Sequence, residues 1–324
     1  MQPLQALGIA PLAADLERVE ACLRDSARSQ DPLLSDIASH LISAGGKRLR
    51  PALTLCASYA TKGVAPVSEG VITGAVAVEL VHLGSLYHDD VIDEAQTRRG
   101  VPSVNARWSN IVAILAGDYL LARASELAAS LGAEVAALLA ATIGELCRGQ
   151  VLELAHLFDV DRSEELYFSA IDGKTASLFG TACRIGGMVS DADGATLDAL
   201  TNFGKRVGTC FQIVDDVLDV TGDEATLGKP AGNDLEEGIY TLPVIYAIDR
   251  DPKLRDMLGR KLDAVQLEEA RNLATSDGAV ARALTMAQQQ ADQASEALGT
   301  SVNLDGDVTA GLRRLVDTLV TREN

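Results

Sequence analysis

Two short stretches of this 324-residue chain carry aspartates at helical spacing, HDDVID at 88–93 and VDDVLD at 214–219. On an α-helix Asp89 and Asp93 stand one turn apart on one face, as do Asp215 and Asp219, with about 6 Å of rise within each pair. Like charges so placed repel, and an apolar helix has no reason to hold them there unless a cation or a basic partner lies between them. The alternative reading of one such cluster is an acidic, hydrated helix end. Two of them, each preceded by a mostly apolar turn and followed by a break, point to a site. Carboxylate oxygens are hard ligands that select Mg²⁺, and no set of His and Cys competes for a softer metal. Such ions handle phosphate oxygens.

Residues on the same helix faces extend each cluster. Counting back from Asp89 gives Ser85 and His82; counting back from Asp215 and Asp216 gives Gln212, Gly208 and Lys205. A lone helix histidine is commonly a satisfied core residue, yet His82 lies two turns below a metal-type carboxylate, which suits ligand binding equally well. Lys205 is weaker, because helix lysines usually reach to water.

Anionic substrates also need direct donors. Lys47, Arg48 and Arg50 follow Gly45-Gly46 in GGKRLRP, where glycines permit a tight entry and a helix N-terminus offers its amides. The spacing is not that of a Walker A loop, and a solvated charged cap would look the same. Arg98 and Arg99 follow the first cluster, and their planar guanidiniums suit phosphate oxygen pairs. Lys174-Thr175 in DGKTASLF and Lys229 after the second cluster add further cations; each alone is unremarkable.

These residues need long helices to position them. Amphipathic or Ala/Leu-rich periodicity predicts helices over about 11–28, 32–43, 51–60, 68–92, 104–129, 132–157, 163–186 and 194–220, then 239–249, 251–275, 278–297 and 305–319. Connections this short suit an antiparallel bundle better than alternating β–α units. The stretch 221–238, rich in Gly, Asp and Pro, reads as a long loop leaving the second cluster. No linker divides the chain, so the expectation is one all-α domain over 1–324, a bundle around a central cavity.

Composition agrees with helices: 47% of residues are hydrophobic, but there is one Trp, six Tyr and five Phe. A formal charge of −18 argues against nucleic acid and anionic membrane surfaces as partners, while leaving room for an anionic small molecule beside bound cations. The five cysteines, Cys22, Cys56, Cys147, Cys183 and Cys210, are scattered and read as free thiols. No basic, apolar leader opens the chain, and the apolar runs are broken before about 20 residues, so a cytoplasmic protein without a membrane span is expected.

In order, GGKRLRP, HDDVIDEAQTRRG, AGDYLLARAS, DGKTASLF, FQIVDDVLDVTGD and LGKPAGNDLEEG resemble the trans-isoprenyl diphosphate synthases, or polyprenyl synthetases, from about Gly45 through Leu242-Pro243. The resemblance implies a prenyltransferase that condenses an allylic diphosphate with isopentenyl diphosphate. It implies that Asp89 and Asp93, with Asp215, Asp216 and Asp219 opposite, ligate Mg²⁺, three ions per site, around the allylic diphosphate. Asp90 completes the first cluster; Arg98, Lys174, Thr175, Gln212 and Lys229 would contact that diphosphate or its metals. Lys47, Arg50, His82 and Arg99 match positions that bind isopentenyl diphosphate. In EEGIYTLP this chain has Ile239 where many relatives carry lysine, which removes one cation without touching either cluster. A homodimer is implied, with transient membrane contact for release of a lipid product.

Product length in this family depends on the cavity floor below Asp89. Ser85 and Gly84 are small where short-chain members place an aromatic ring, and Val81 is modest, so products longer than C20 are expected. Small residues there also serve close helix packing. A terpene cyclase is disfavoured by the intact second DDVLD, and a noncatalytic or partner-dependent subunit of a heteromeric synthase by the completeness of both clusters.

Overall fold

The computed structural model describes residues 2–222, 232–276, 278–301 and 303–321, with only the backbone of Gln2 and Pro3. The fold is all-α. After a short α1 (Gln2–Gln5), the helices are α2 (Leu12–Ser26), α3 (Pro32–Ser43), α4 (Leu49–Lys62) and α5 (Glu69–Ile92). There follow α6 (Val104–Arg107), α7 (Asn110–Ser130), α8 (Ala133–Leu154) and α9 (Glu164–Ile171). A π-helical turn, Asp172–Ala176, leads into α10 (Ser177–Met188), and α11 (Gly194–Thr221) carries the second cluster. Helices Asn233–Glu237, Leu242–Ile248, Pro252–Met257, Ala264–Ala274, Ala279–Leu298 and Gly306–Val320 complete the chain.

Local chemistry sets these boundaries. Pro32 opens α3 behind Asp31, whose carboxylate accepts from Leu33 N and Leu34 N. The expected single helix over 104–129 is broken, because Ser109 is extended and caps α7 by accepting from Val112 N. The expected helix over 251–275 is likewise two: Asp263 and Gln266 form a reciprocal capping box that starts the second piece. Part of the expected loop 221–238 is helical, at Asn233–Glu237, between Gly232 and Gly238, both at positive φ. A small hairpin pairs Thr97–Arg98 with Val101–Pro102, with Arg99 and Gly100 both left-handed at its turn.

The chain forms two compact units, each assembled from separate stretches: Met1–Ile143, Leu178–Gly204 and Ala297–Arg314 in the first; Gly144–Ser177, Lys205–Glu296 and Leu315–Asn324 in the second. In the first, α5 is the central helix, packed against α2, α4 and α7. Its residues from Val71 to Gly84 are almost all buried. In the second, Leu242–Ile248, wholly buried, packs against α9 and Ala264–Ala274.

Among the described residues two helices, α5 and α8, are long and apolar enough to cross a membrane, contrary to the expectation that interruptions fall too early. Helix α5 is the core of the first unit. Helix α8 is mostly exposed, 22% of its most apolar window being buried, with Val151 and Leu154 among its open side chains.

Candidate active site

The first aspartate cluster closes α5. Asp93 is the C-cap, its N–H donating to Asp89 O at 2.8 Å, so both carboxylates sit where the helix dipole is already negative. That placement makes a cation the natural third party. Asp90, next to Asp89 on the helix, is fully buried and accepts from Arg98 Nε at 2.7 Å. Burial pushes its carboxyl up, with Arg98 opposing. Its second oxygen, Oδ2, is buried with no protein partner. Arg98, expected to face a diphosphate, is thus anchored by Asp90 and keeps a partly exposed guanidinium.

The basic residues of GGKRLRP divide by role. Lys47 is exposed and Arg50 half-buried, its guanidinium 4.5 Å over the Phe179 ring. Arg48 turns inward at left-handed φ 48° and meets Glu79, Glu20 and Ile42 O. Arg99, also left-handed, donates through one nitrogen to Leu41 O and Gly45 O, carbonyls around the end of α3. His82 is held neutral: burial, then Arg50 and Arg99, drive its pKa well below the usual imidazole range.

The expected chain-length positions lie on α5 below Asp89. Val81 is buried, and Ser85 Oγ donates to His82 O at 2.8 Å. Gly84 faces α7: a Cβ there would lie 3.1 Å from Gly117 O and from Leu121 Cγ. Its smallness therefore serves the α5–α7 crossing. Gly117 answers it, since a Cβ at Gly117 would strike the His88 ring.

The second cluster belongs to a hydrogen-bonded chain in the second unit. Asp215 is half-buried, whereas Asp216 and Asp219 are buried. Asp216 accepts from Tyr167 Oη at 2.6 Å and Gln212 Nε2 at 2.8 Å, so each oxygen already has a protein donor. Burial pushes the Asp216 carboxyl up to about 7 against both hydrogen bonds. Gln212 Oε1 in turn accepts from Thr175 Oγ1 at 2.8 Å. Asp219 Oδ2 accepts from Asp234 N at 3.2 Å. Asp216, expected as a metal ligand, also orients Gln212, which in turn accepts from Thr175.

Lys174 and Thr175 lie in the π-helical turn, an insertion that commonly marks functional sites. Lys174 pairs with buried Glu153 of α8. Gly149 and Gly173 let the two backbones touch: a Cβ on Gly149 would lie 2.3 Å from Lys174 N. Lys205 reaches Asp172 at 3.9 Å rather than the cluster. Lys229 lies outside the described residues.

The clusters themselves offer carboxylate oxygens, which fit a hard divalent ion. Among the described residues no three His, Cys, Asp or Glu side chains converge into a finished cage. Mg²⁺ suits such a site, because it retains waters and takes substrate phosphate oxygens as remaining ligands.

Sequence reasoning missed Glu79, Glu153 and Tyr167. A signal existed for Glu79, a lone acid in the apolar run VITGAVAVELVHL, since buried acids demand partners. Nothing in the sequence marked Tyr167 or Glu153 apart from other residues of their type.

The polyprenyl synthetase family model matches residues 31–274. Nonaprenyl diphosphate synthase of Mycobacterium tuberculosis is 40% identical over 322 residues, covering 98% of this chain and 95% of that protein. Heptaprenyl diphosphate synthase component 2 of Geobacillus stearothermophilus is 39% identical over 87% of this chain and 88% of that one. A polyprenyl synthase from Caulobacter crescentus, crystallised with calcium and isoprenyl diphosphate, superposes with a TM-score of 0.92 at 34% identity, covering 99% of this chain and 98% of that one.

Proposed function

From a chain that belongs to the polyprenyl synthetase family, we propose a Mg²⁺-dependent synthase that adds isopentenyl diphosphate to an allylic diphosphate, releases diphosphate and builds trans-polyprenyl diphosphates longer than C20. The observation that carries this is the survival of both aspartate clusters and their basic companions in one ordered set across a full-length match.

Asp89, Asp93, Asp215, Asp216 and Asp219 would hold the ions, with Asp216 also orienting Gln212. When bound, Mg²⁺ supplies electrostatic stabilisation of the departing diphosphate. Arg98, fixed by Asp90, and Lys174, fixed by Glu153, would present positive charge to the same phosphates. Lys47, Arg50 and Arg99 would bind isopentenyl diphosphate, with neutral His82 as a hydrogen-bonding neighbour. Lys229 keeps its proposed phosphate contact from sequence alone. The allylic carbon ionises, the double bond of isopentenyl diphosphate attacks it, and a proton leaves to the departing diphosphate. Apolar surroundings protect the cation from water.

The reading includes a cytoplasmic enzyme, working as one catalytic domain and as a homodimer. Exposed apolar residues on α7 (Ile111, Ile114, Leu115) and on α8 (Val151, Leu154) support a second copy as their cover. Release of a lipid product supports transient membrane contact.

The test is incubation with Mg²⁺, labelled isopentenyl diphosphate and primers of several lengths, followed by sizing of extracted products. A ladder ending beyond C20, abolished by chelator, is expected. Label transfer only after addition of a second polypeptide would favour a partner-dependent component, a reading supported by the likeness to a protein named as component 2.

A further inference from the structure

The acid buried in the middle of α5 is not used by the proposed chemistry, yet Arg48, Arg50 and Arg99 all bear on it. Glu79 is 2% exposed, on a helix otherwise apolar to its last turns. Its Oε1 accepts from Arg48 at 2.9 Å, and Arg48 itself is 7% exposed. Arg48 also reaches Glu20 on α2 and donates to Ile42 O near the end of α3 at 3.2 Å. One guanidinium thereby ties α2, α3 and α5 to the turn that starts α4.

That turn has unusual backbone. Gly45, Gly46 and Arg48 all have positive φ, at 87°, 159° and 48°. A left-handed arginine is strained, and such a conformation persists only where its surroundings over-determine it. A Cβ at Gly46 would lie 2.9 Å from Arg48 Nη1 and 3.0 Å from Arg99 Cζ, so the turn is packed directly on two guanidiniums. On either side of Arg48 in the sequence, Lys47 is exposed and Arg50 half-buried against Phe179, while Arg48 itself is buried.

Charge points the same way. Burial pushes Glu79 up, while Arg48, Arg50 and Arg99 oppose it, so its carboxylate faces all three. Burial disfavours the charge of Arg99, as do Arg48 and Arg98, and Glu79 is the strongest influence in its favour. Glu79 thus offsets, from inside the helix, the positive charge gathered by Arg48, Arg50 and Arg99, while Glu20 meets Arg48 from α2.

We propose that Glu79, acting through Arg48 with Glu20 on its far side, is a positioning residue for the isopentenyl diphosphate subsite, holding the Gly45–Arg50 turn so that Lys47 and Arg50 face that substrate with Arg99. The inference rests on the assignment of those three cations to isopentenyl diphosphate. Because the network involves no aspartate of either cluster, its loss should spare the allylic substrate.

The experiment measures steady-state kinetics for both substrates, calorimetric binding of isopentenyl diphosphate without primer, and thermal midpoints, in wild type, Glu79→Gln, Glu20→Gln and the apolar double variant Glu79→Leu/Arg48→Met. Expected are a rise of about 10- to 100-fold in KM and Kd for isopentenyl diphosphate in Glu79→Gln, a smaller rise in Glu20→Gln, and primer KM within about twofold of wild type. The double variant should regain thermal stability but not affinity, which separates positioning from packing. Unchanged isopentenyl diphosphate affinity in folded Glu79→Gln, equal losses for both substrates, or recovery of affinity in the double variant would each overturn the proposal. Should Glu79→Gln fail to fold, Glu20→Gln and the double variant decide. Absence of isopentenyl diphosphate binding in wild type would instead overturn the substrate assignment itself.

Discussion

Replacement of Gly149 by alanine tests whether the π-helical turn is held by backbone contact with α8. The added methyl would stand 2.3 Å from Lys174 N, 2.6 Å from Ala170 O and 2.9 Å from Gly173 C, all main-chain atoms that cannot rotate away. Comfortable separations are about 3.5 Å, so the turn must retreat by about 1 Å. Overpacking of this kind costs about 1–3 kcal/mol, and backbone on three sides places Gly149→Ala at the upper end. About 3 kcal/mol corresponds to a loss of about 6–12 °C in Tm by the scaling for domains of about 150–250 residues, with the lower end apt for a longer chain. Because Lys174 and Thr175 ride on that turn, a displacement of about 1 Å should also lower kcat by about 100-fold. Gly144, earlier on the same helix, is the control: a Cβ there meets nothing within 4 Å, so Gly144→Ala should stabilise by about 0.5–1 kcal/mol. Calorimetric Tm and initial rates for both variants decide the matter. Wild-type Tm and kcat in Gly149→Ala would refute the claim that close approach places Lys174.

Three further outcomes are expected. Ser85→Phe should shorten the product, whereas Gly84→Ala should mainly lower Tm, because its Cβ would meet Gly117 O at 3.1 Å; unchanged product size in Ser85→Phe would remove the α5 face from chain-length control. His82 is held neutral in the folded protein, while the unfolded chain binds a proton near pH 6.5, so stability should rise with pH up to about 6.5 and gain nothing from this residue above it. Urea midpoints at several pH values should show that slope reduced in His82→Gln, and an equal slope in both proteins would count against it. A thiol reagent should leave buried Cys183, pushed up to about 12 by burial, intact until unfolding; mass mapping after brief labelling of the folded protein checks this, and early label on Cys183 would count against it.

The residues themselves carried the aspartate spacing, the helical texture and the basic companions in order, because local periodicity and residue type suffice for those. From them came the all-α class, the helices up to the second cluster to within a few residues apart from one break, and the family chemistry. The break at Ser109 and the capping box at Asp263 were also written locally, but the apolar pattern running across each outweighed them in a reading by periodicity. What each charged group does was settled by burial and partners, which no spacing encodes. Arg48 and Arg50 are two residues apart in one basic motif, yet Arg48 is locked between Glu20 and Glu79 while Arg50 lies over Phe179. Asp215 and Asp216 are adjacent, yet Asp216 alone is enclosed by Tyr167 and Gln212. Gly84 looked like an open tunnel and is the contact surface for α7. Sequence determined which chemistry this chain was equipped for; the fold decided which of its charges stay open to solvent and which are locked against partners, since a desolvated charge must find a partner and only tertiary packing sets which side chains are desolvated.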